Sequence, residues 1–212
     1  MAASRPAAGG GRWVTVPPER LGRWLAGFAA RHGTVETSYD VTVVRLVGVD
    51  GAVAEVEVPF PPLAGDLVDH VLRERTVGVL LVRLGGHAAG VFEGPRLVSS
   101  KVGFRQVHGR SAAGGWSQQR FARRRENQVT AAMGSAADVA ARVLLGVRLD
   151  ALVVGGERRA VDAVLADRRL EPVRGLVTGR LLDVPDPRLA VLQAAPWRDV
   201  RIRVVDASAP VP

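Results

Sequence analysis

The amino-acid sequence predicts a mixed α/β fold, an α+β arrangement in which helices pack on mixed sheets in two units. The first observation is composition: 47% of the 212 residues are apolar, enough for a buried core in one sizeable domain and a smaller one. The second is that short apolar runs bounded by Gly and Pro alternate with segments of helical periodicity. The third is the element order of the second unit, β-β-β-α-β-α-β with one more strand at its end, which requires helices that cover a mixed sheet.

The first unit is predicted as a small α/β unit at residues 12–75, behind a disordered lead at 1–11 whose residues are mostly small. A helix is predicted after Pro17 because apolar residues recur there at helical spacing. Asp50-Gly51 between two apolar runs signals a β-hairpin. The predicted elements are a helix, two strands and a short second helix, at 17–31, 41–47, 53–58 and 63–73.

The second unit is predicted at residues 76–206, followed by a flexible tail at 207–212. Its first three strands are joined by tight turns, which predicts an antiparallel meander. The stretch 105–118 lacks apolar periodicity and is predicted as a loop. The predicted elements are three strands, a long helix, a strand, a helix and two strands, at 77–84, 87–94, 96–104, 119–146, 149–156, 157–167, 173–177 and 200–205. This order is compatible with a ribonuclease-H-like layout.

The composition also indicates the cellular compartment and the kind of partner. The formal charge is +8, almost all of it from arginine, which favours a nucleic acid or another acidic partner. The chain has no cysteine, which excludes disulfides and thiolate metal sites and suits a reducing compartment. No run approaches the ~18 apolar residues of a membrane span, and no signal peptide is evident. We expect a cytoplasmic monomer.

Several common catalytic sites have no support in the sequence. The first strand of the second unit and its turns, 77–92, contain no Asp or Glu, so two-metal nucleolysis is not indicated. No Walker A motif is present, and Ser117 lacks the second glycine of a nucleophile elbow. The histidines lie in four separate segments, without zinc-ligand spacing: His32, His70, His87 and His108. We therefore expect neither a metal nor another cofactor.

Positive charge is concentrated at 101–130, which carries a net +6. On a helix that begins near Gln119, Arg120, Arg123 and Arg124 share one face through i+3 and i+4 spacing. An arginine face at a helix start, continuous with a basic loop, is typical of proteins that contact a phosphate backbone. The candidate RNA-binding residues are Lys101, Arg105, Arg110, Trp116, Arg120, Arg123, Arg124 and Arg125, with Trp116 either stacking on a base or anchoring the loop.

The same segment resembles the central domain of eukaryotic and archaeal peptide-chain release factors. The residues that carry the resemblance are His108, Gly109, Arg110, Gly114, Gly115, Ser117, Arg120, Phe121, Ala122, Arg123 and Arg125. In that family a GGQ loop leads into a helix with a similar basic start. The resemblance covers about 77–205 and implies a ribonuclease-H-like domain whose loop reaches the peptidyl-transferase centre of the large ribosomal subunit.

The position of the glutamine departs from the family pattern. Without a gap, the glutamine of the GGQ loop falls on Trp116. The Vms-like release factors of ribosome quality control carry Gly-Ser-Gln instead, and Trp116-Ser117-Gln118 is similar to that variant. The resemblance therefore implies that Gln118, or alternatively Gln119, is catalytic, with Gly114, Gly115 and Ser117 forming the loop around it.

The function implied is hydrolysis of the ester in peptidyl-tRNA on stalled ribosomes or large subunits. Release factors that decode stop codons carry a larger N-terminal domain and a further C-terminal one, so the resemblance implies codon-independent rescue. Two alternatives stay open: a non-catalytic ribosome- or RNA-binding module, and a tRNA-directed nuclease.

Overall fold

A computed structural model describes residues 4–104 and 117–206 of the chain. These residues form two compact units. The first unit contains the residues up to Arg73 together with those from Arg198 onward, and the second contains Glu74–Trp197. Each unit has a sheet covered by helices. The predicted mixed α/β class is confirmed.

The sheet of the first unit has six antiparallel strands in the order β1-β2-β10-β5-β4-β3. Their bounds are β1 Ser4–Pro6, β2 Arg12–Val16, β3 Val35–Tyr39, β4 Val43–Gly48, β5 Val53–Glu57 and β10 Val200–Val205.

Strand β10 corrects the sequence prediction, which assigned 200–205 to the second unit. The strand lies between β2 and β5 in the first sheet. The physical reason is its alternation: Val200, Ile202 and Val204 are buried, whereas the two arginines between them are partly exposed. That pattern suits an antiparallel sheet with one solvated face. The predicted disordered lead is also wrong in part, because β1 pairs with β2.

Two helices of the first unit cover one face of this sheet. Helix α1 spans Leu21–His32, and helix α2 spans Leu67–Leu72. Asp66 caps α2 by accepting hydrogen bonds from the first-turn amides of Val68 and Asp69. His70 in α2 is buried; its Nδ1 accepts from the Ala64 amide at 3.1 Å and its Nε2 donates to the Pro59 carbonyl at 2.8 Å. This histidine therefore has a structural role.

The sheet of the second unit is mixed, as predicted. Its strands are β6 Thr76–Arg83, β7 Gly86–Glu93, β8 Arg96–Phe104 and β9 Ala151–Gly156, in the order β8-β7-β6-β9. Strands β6, β7 and β8 form the predicted antiparallel meander, and β9 runs parallel to β6. The ribonuclease-H-like layout stays a prediction.

Four helices accompany this sheet: α3 Ser117–Leu144, α4 Arg158–Leu165, α5 Glu171–Arg174 and α6 Leu189–Gln193. The predicted strand at 173–177 is wrong. Pro172 lies in the first turn of α5, where proline favours a helix and lacks only an amide that would be unpaired anyway. Val177 then contributes a single bridge to Leu152.

Candidate functional site

Helix α3 positions the candidate catalytic glutamines. It begins at Ser117, two residues before the predicted start, so Ser117, Gln118 and Gln119 lie in its first turn and the predicted loop 105–118 is shorter at this end. Serine is favoured at helix starts and glutamine is a good helix former. The side chains of this first turn lie outside the described part of the structure.

Several other predicted residues also fall outside the described part. These are Arg105, Arg110, Gly114, Gly115 and Trp116, together with the histidine at position 108. Arg120, Arg124 and Arg125 lie in α3 by their backbone, but their side chains are not described. Lys101 and Arg123 are described, and both are exposed.

Helix α3 packs against its unit through its second half. Seven side chains of its second half are buried: Ala132, Ala136, Ala137, Val139, Ala140, Val143 and Leu144. None of the described side chains between Arg123 and Ala131 is buried. The residues 117–131 would extend about 22 Å at 1.5 Å per residue. A segment of this length is marginal as an isolated helix, so packing of the second half stabilises the first.

Two features of α3 weaken the helix near the boundary between these halves. The Thr130 hydroxyl donates a hydrogen bond to the Glu126 carbonyl at 3.0 Å, an arrangement that tends to bend helices. Gly134 is exposed, and apart from its chain neighbours and the nearby backbone of α3 itself, no atom of the described residues lies within 4 Å of the position that its Cβ would occupy. Packing therefore does not require glycine there, although glycine is a poor helix former.

Lys101 lies on the sheet face that α3 covers. It pairs with Ala89 across β7 and β8, and Ala89 belongs to the same apolar core as the buried residues of α3. Cross-strand partners point to the same face of a sheet. The structure therefore places Lys101 on the α3 side of the sheet, and a continuous basic surface with the start of that helix stays a prediction.

The charge is divided unequally between the two units. The first unit has ten basic and ten acidic residues, whereas the second has 19 basic and 11 acidic ones. The whole excess of +8 therefore belongs to the second unit. Arginines of the first sheet are also paired with acids, as in Arg201–Glu57 at 3.4 Å and Arg203–Glu55 at 3.3 Å. Attraction for a polyanion is concentrated in the second unit.

His87 is a buried residue beside this site that the sequence does not single out. It lies in β7 opposite Gly103 of β8, one position before β8 ends. Its Nε2 is buried and has no hydrogen-bond partner within the described residues. Burial lowers the pKa of His87 below its usual range, because the charged form loses hydration. The neighbouring residues in HAAGVFE are small or apolar and give no signal of a polar site.

The described residues also lack two kinds of feature. No group of three or more His, Asp or Glu side chains in the described ranges could hold a metal ion. No helix in the same ranges is long and apolar enough to cross a membrane.

Comparison with known proteins defines the class as a release factor. The family model described as the Actinobacteria/chloroflexi VLRF1 release factor matches residues 75–205. The chain belongs to this release-factor family. No curated protein matches the chain.

Solved structures give weaker similarity. A crystal structure of the archaeal translation termination factor aRF1 is 15% identical, with a TM-score of 0.42, over 86% of this chain and 62% of that one. A structure described as an archaeal protein is 16% identical, with a TM-score of 0.36, over 69% of this chain and 47% of that one. The chain therefore spans less than two thirds of either structure, and scores below 0.5 do not establish a common fold.

Proposed function

We propose that this protein is a release-factor-type peptidyl-tRNA hydrolase that acts on stalled ribosomes or large subunits without reading a codon. The observation that carries the proposal is the family match over 75–205, which contains the whole basic segment and helix α3. The confinement of excess positive charge to the second unit supports an RNA partner for that unit. We place this activity with the Vms-like branch because of the Ser117-Gln118 pair, and in the cytoplasm.

The chemistry requires a positioned water and stabilisation of an oxyanion. Attack of water on the ester carbonyl that joins the peptide to the tRNA ribose places negative charge on the carbonyl oxygen. The ester bond then breaks, and the ribose hydroxyl leaves with a proton. A glutamine orients the water through its amide without acting as a strong base. Amides in the first turn of a helix lack intrahelical acceptors, and Gln118 occupies such a turn, where an amide can stabilise the oxyanion.

The remaining residues of the segment have supporting roles in this proposal. Gly114 and Gly115 allow the backbone to approach RNA closely. Trp116 stacks on a base, and Ser117 begins the helix that presents Gln118. Lys101, Arg105, Arg110, Arg120, Arg123, Arg124 and Arg125 contact phosphates. The ribosome and the hydroxyls of the tRNA supply the rest of the reaction site.

Product analysis tests the proposal. The protein is incubated with large subunits that carry a nascent peptidyl-tRNA, and both the peptide and the tRNA are examined. Free peptide with an intact tRNA supports hydrolysis of the ester. A shortened tRNA would instead identify a nuclease.

A second candidate function is a non-catalytic ribosome- or RNA-binding module. The observation that favours it is Trp116, which occupies the position of the family glutamine in an ungapped comparison. This candidate predicts that the protein binds the large subunits in the same experiment while the peptidyl-tRNA stays intact.

A further inference from the structure

An exposed apolar patch lies at the end of β8, on the sheet face opposite to α3. Phe104 pairs with Gly86 and Val102 pairs with Ala88, which places both side chains on this face. Phe104 is 75% exposed and Val102 is 37% exposed. A large aromatic residue this exposed has no structural role in the core.

The start of α6 borders the same patch. A Cβ at Gly86 would lie 3.8 Å from Cδ2 of Phe104 and 3.5 Å from the Pro187 carbonyl oxygen, so the aromatic ring and the segment that enters α6 flank one glycine. Helix α6 packs against β7 and β8, and its first residue, Leu189, is 46% exposed. The patch is therefore formed by Phe104 and Val102, and Leu189 lies at the start of the helix that borders it.

The exposed area of the patch is too small for a stable interface with another protein. One aromatic and two aliphatic side chains, each partly exposed, offer on the order of 300 Å², since a large aromatic residue buries about 150–250 Å². A stable protein interface buries about 800 Å² on each partner. A nucleobase, which stacks on a single aromatic ring, matches the patch better.

The charge around the patch favours the same occupant. Phe104 belongs to the segment 101–130, whose net charge is +6. Arg188, next to Leu189, is exposed and forms no ion pair within the described residues. The acid Asp186 lies 3.5 Å from Arg83 Nε, where its charge is partly compensated. Arg188 is therefore the described cation that an incoming phosphate backbone would meet beside the patch, in a unit that carries the whole excess of positive charge.

We propose that Phe104, with Val102 and Leu189 beside it, is a platform on which an unpaired RNA base stacks. This inference rests on the proposed function in one respect, because it takes the partner of the second unit to be RNA. The platform lies on the opposite sheet face from Lys101 and α3. An RNA that reaches both faces would pass β8, which is the last strand of this sheet in the described residues.

The test measures binding of the full chain to a fluorescein-labelled single-stranded RNA 12-mer and to a duplex of the same sequence. We expect Phe104→Ala to weaken single-strand binding about 5- to 150-fold, the range found for loss of one stacked base. Phe104→Leu should lose nearly as much, because leucine is apolar but cannot stack, and Phe104→Trp should bind like the unchanged protein. The slope of affinity against salt should stay the same, since no cation is removed.

Tyr39→Ala is the matched control. Tyr39 is 66% exposed, but it belongs to the first unit, which has no net charge. Its removal should leave RNA binding unchanged. Circular dichroism and thermal unfolding of each variant establish that the fold is intact.

Three results would overturn the platform. The first is that the unchanged protein does not bind the 12-mer at low salt, or binds it no more tightly than Phe104→Ala does. The second is full affinity in Phe104→Leu. The third is a loss that affects large subunits but not free RNA, which would indicate a protein contact. Peptide release is measured separately. If the protein releases peptide but Phe104→Ala binds RNA normally, only the platform is overturned. If Phe104→Ala loses RNA binding but the unchanged protein releases no peptide, only the hydrolase proposal is overturned.

Discussion

His87 and Gly103 face each other across β7 and β8, and the imidazole ring of His87 occupies the space that a side chain at position 103 would need. A Cβ at Gly103 would lie 2.9 Å from the ring carbon Cδ2 and closer still to Nε2. Strand β8 therefore requires glycine at position 103, because the buried ring of His87 fills the space beside it.

Gly103→Ala should destabilise the protein. The added methyl group overlaps the His87 ring, and overpacking of this kind costs about 1–3 kcal/mol in free energy of unfolding. Denaturant titration measures the loss. Gly175→Ala is the control, because position 175 has open space and a negative φ, and its change should be within about 0.5 kcal/mol. In the background His87→Ala the cost of Gly103→Ala should shrink; an unchanged cost would contradict the packing account.

His87 should make stability fall on the acidic side of neutrality. Burial lowers its folded-state pKa below the usual 6.5, so between these two values the unfolded chain takes up a proton that the folded chain does not. The free energy of unfolding should therefore decrease as pH falls below 6.5, by at most about 1.4 kcal/mol per pH unit. Titrations of the unchanged protein and His87→Leu from pH 7.5 to 5 check this. Equal slopes would show that His87 does not titrate differently on folding.

Gly134→Ala should stabilise α3. Nothing lies within 4 Å of the new methyl group, and alanine in a helix interior is favoured over glycine by about 1 kcal/mol. Thermal unfolding and amide hydrogen exchange of residues 123–131 measure the effect, and exchange of these amides should slow. A loss of stability would contradict the conclusion that packing does not require glycine at position 134.

The arginines at the start of α3 should determine how strongly RNA binding depends on salt concentration. Replacing Arg120 and Arg123 together by Ala removes two phosphate contacts, so the slope of log affinity for RNA or large subunits against log salt should fall by roughly 1.4–1.8. Replacing the exposed Arg23 and Arg31 of α1 provides the matched control in the neutral first unit. A slope equal to that of the unchanged protein would remove the case for the arginine face.

The parts of the fold that the sequence predicts correctly are those set by local pattern. The three strands from Thr76 to Phe104 are separated by turns that contain glycine. In α3 the apolar residues recur at helical spacing, and this regularity is enough to predict most of that helix. Strand β3 escapes prediction because almost all of it is exposed and shows no alternation.

Other parts depend on contacts that sequence order does not reveal. Strand β10 shows a clear alternating pattern, but its partner β5 lies more than 140 residues away, as in the contact between Arg203 and Glu55. The candidate site is predicted from charge and resemblance alone. Burial is known only from the structure, and it shows that Phe104 is exposed and that the buried Nε2 of His87 has no hydrogen-bond partner among the described residues.

The most direct test of the central claim is the single-turnover rate of peptide release from peptidyl-tRNA on large subunits. The unchanged protein is compared with Gln118→Ala and with Gln119→Ala as the adjacent control. We expect Gln118→Ala to bind normally and to slow release by roughly 10²-fold, because the variant keeps the backbone amide but loses the side-chain amide that orients the water, while Gln119→Ala releases peptide at nearly the full rate. Full-rate release by Gln118→Ala would contradict the assignment of the catalytic glutamine, and the absence of release by the unchanged protein would contradict the hydrolase itself.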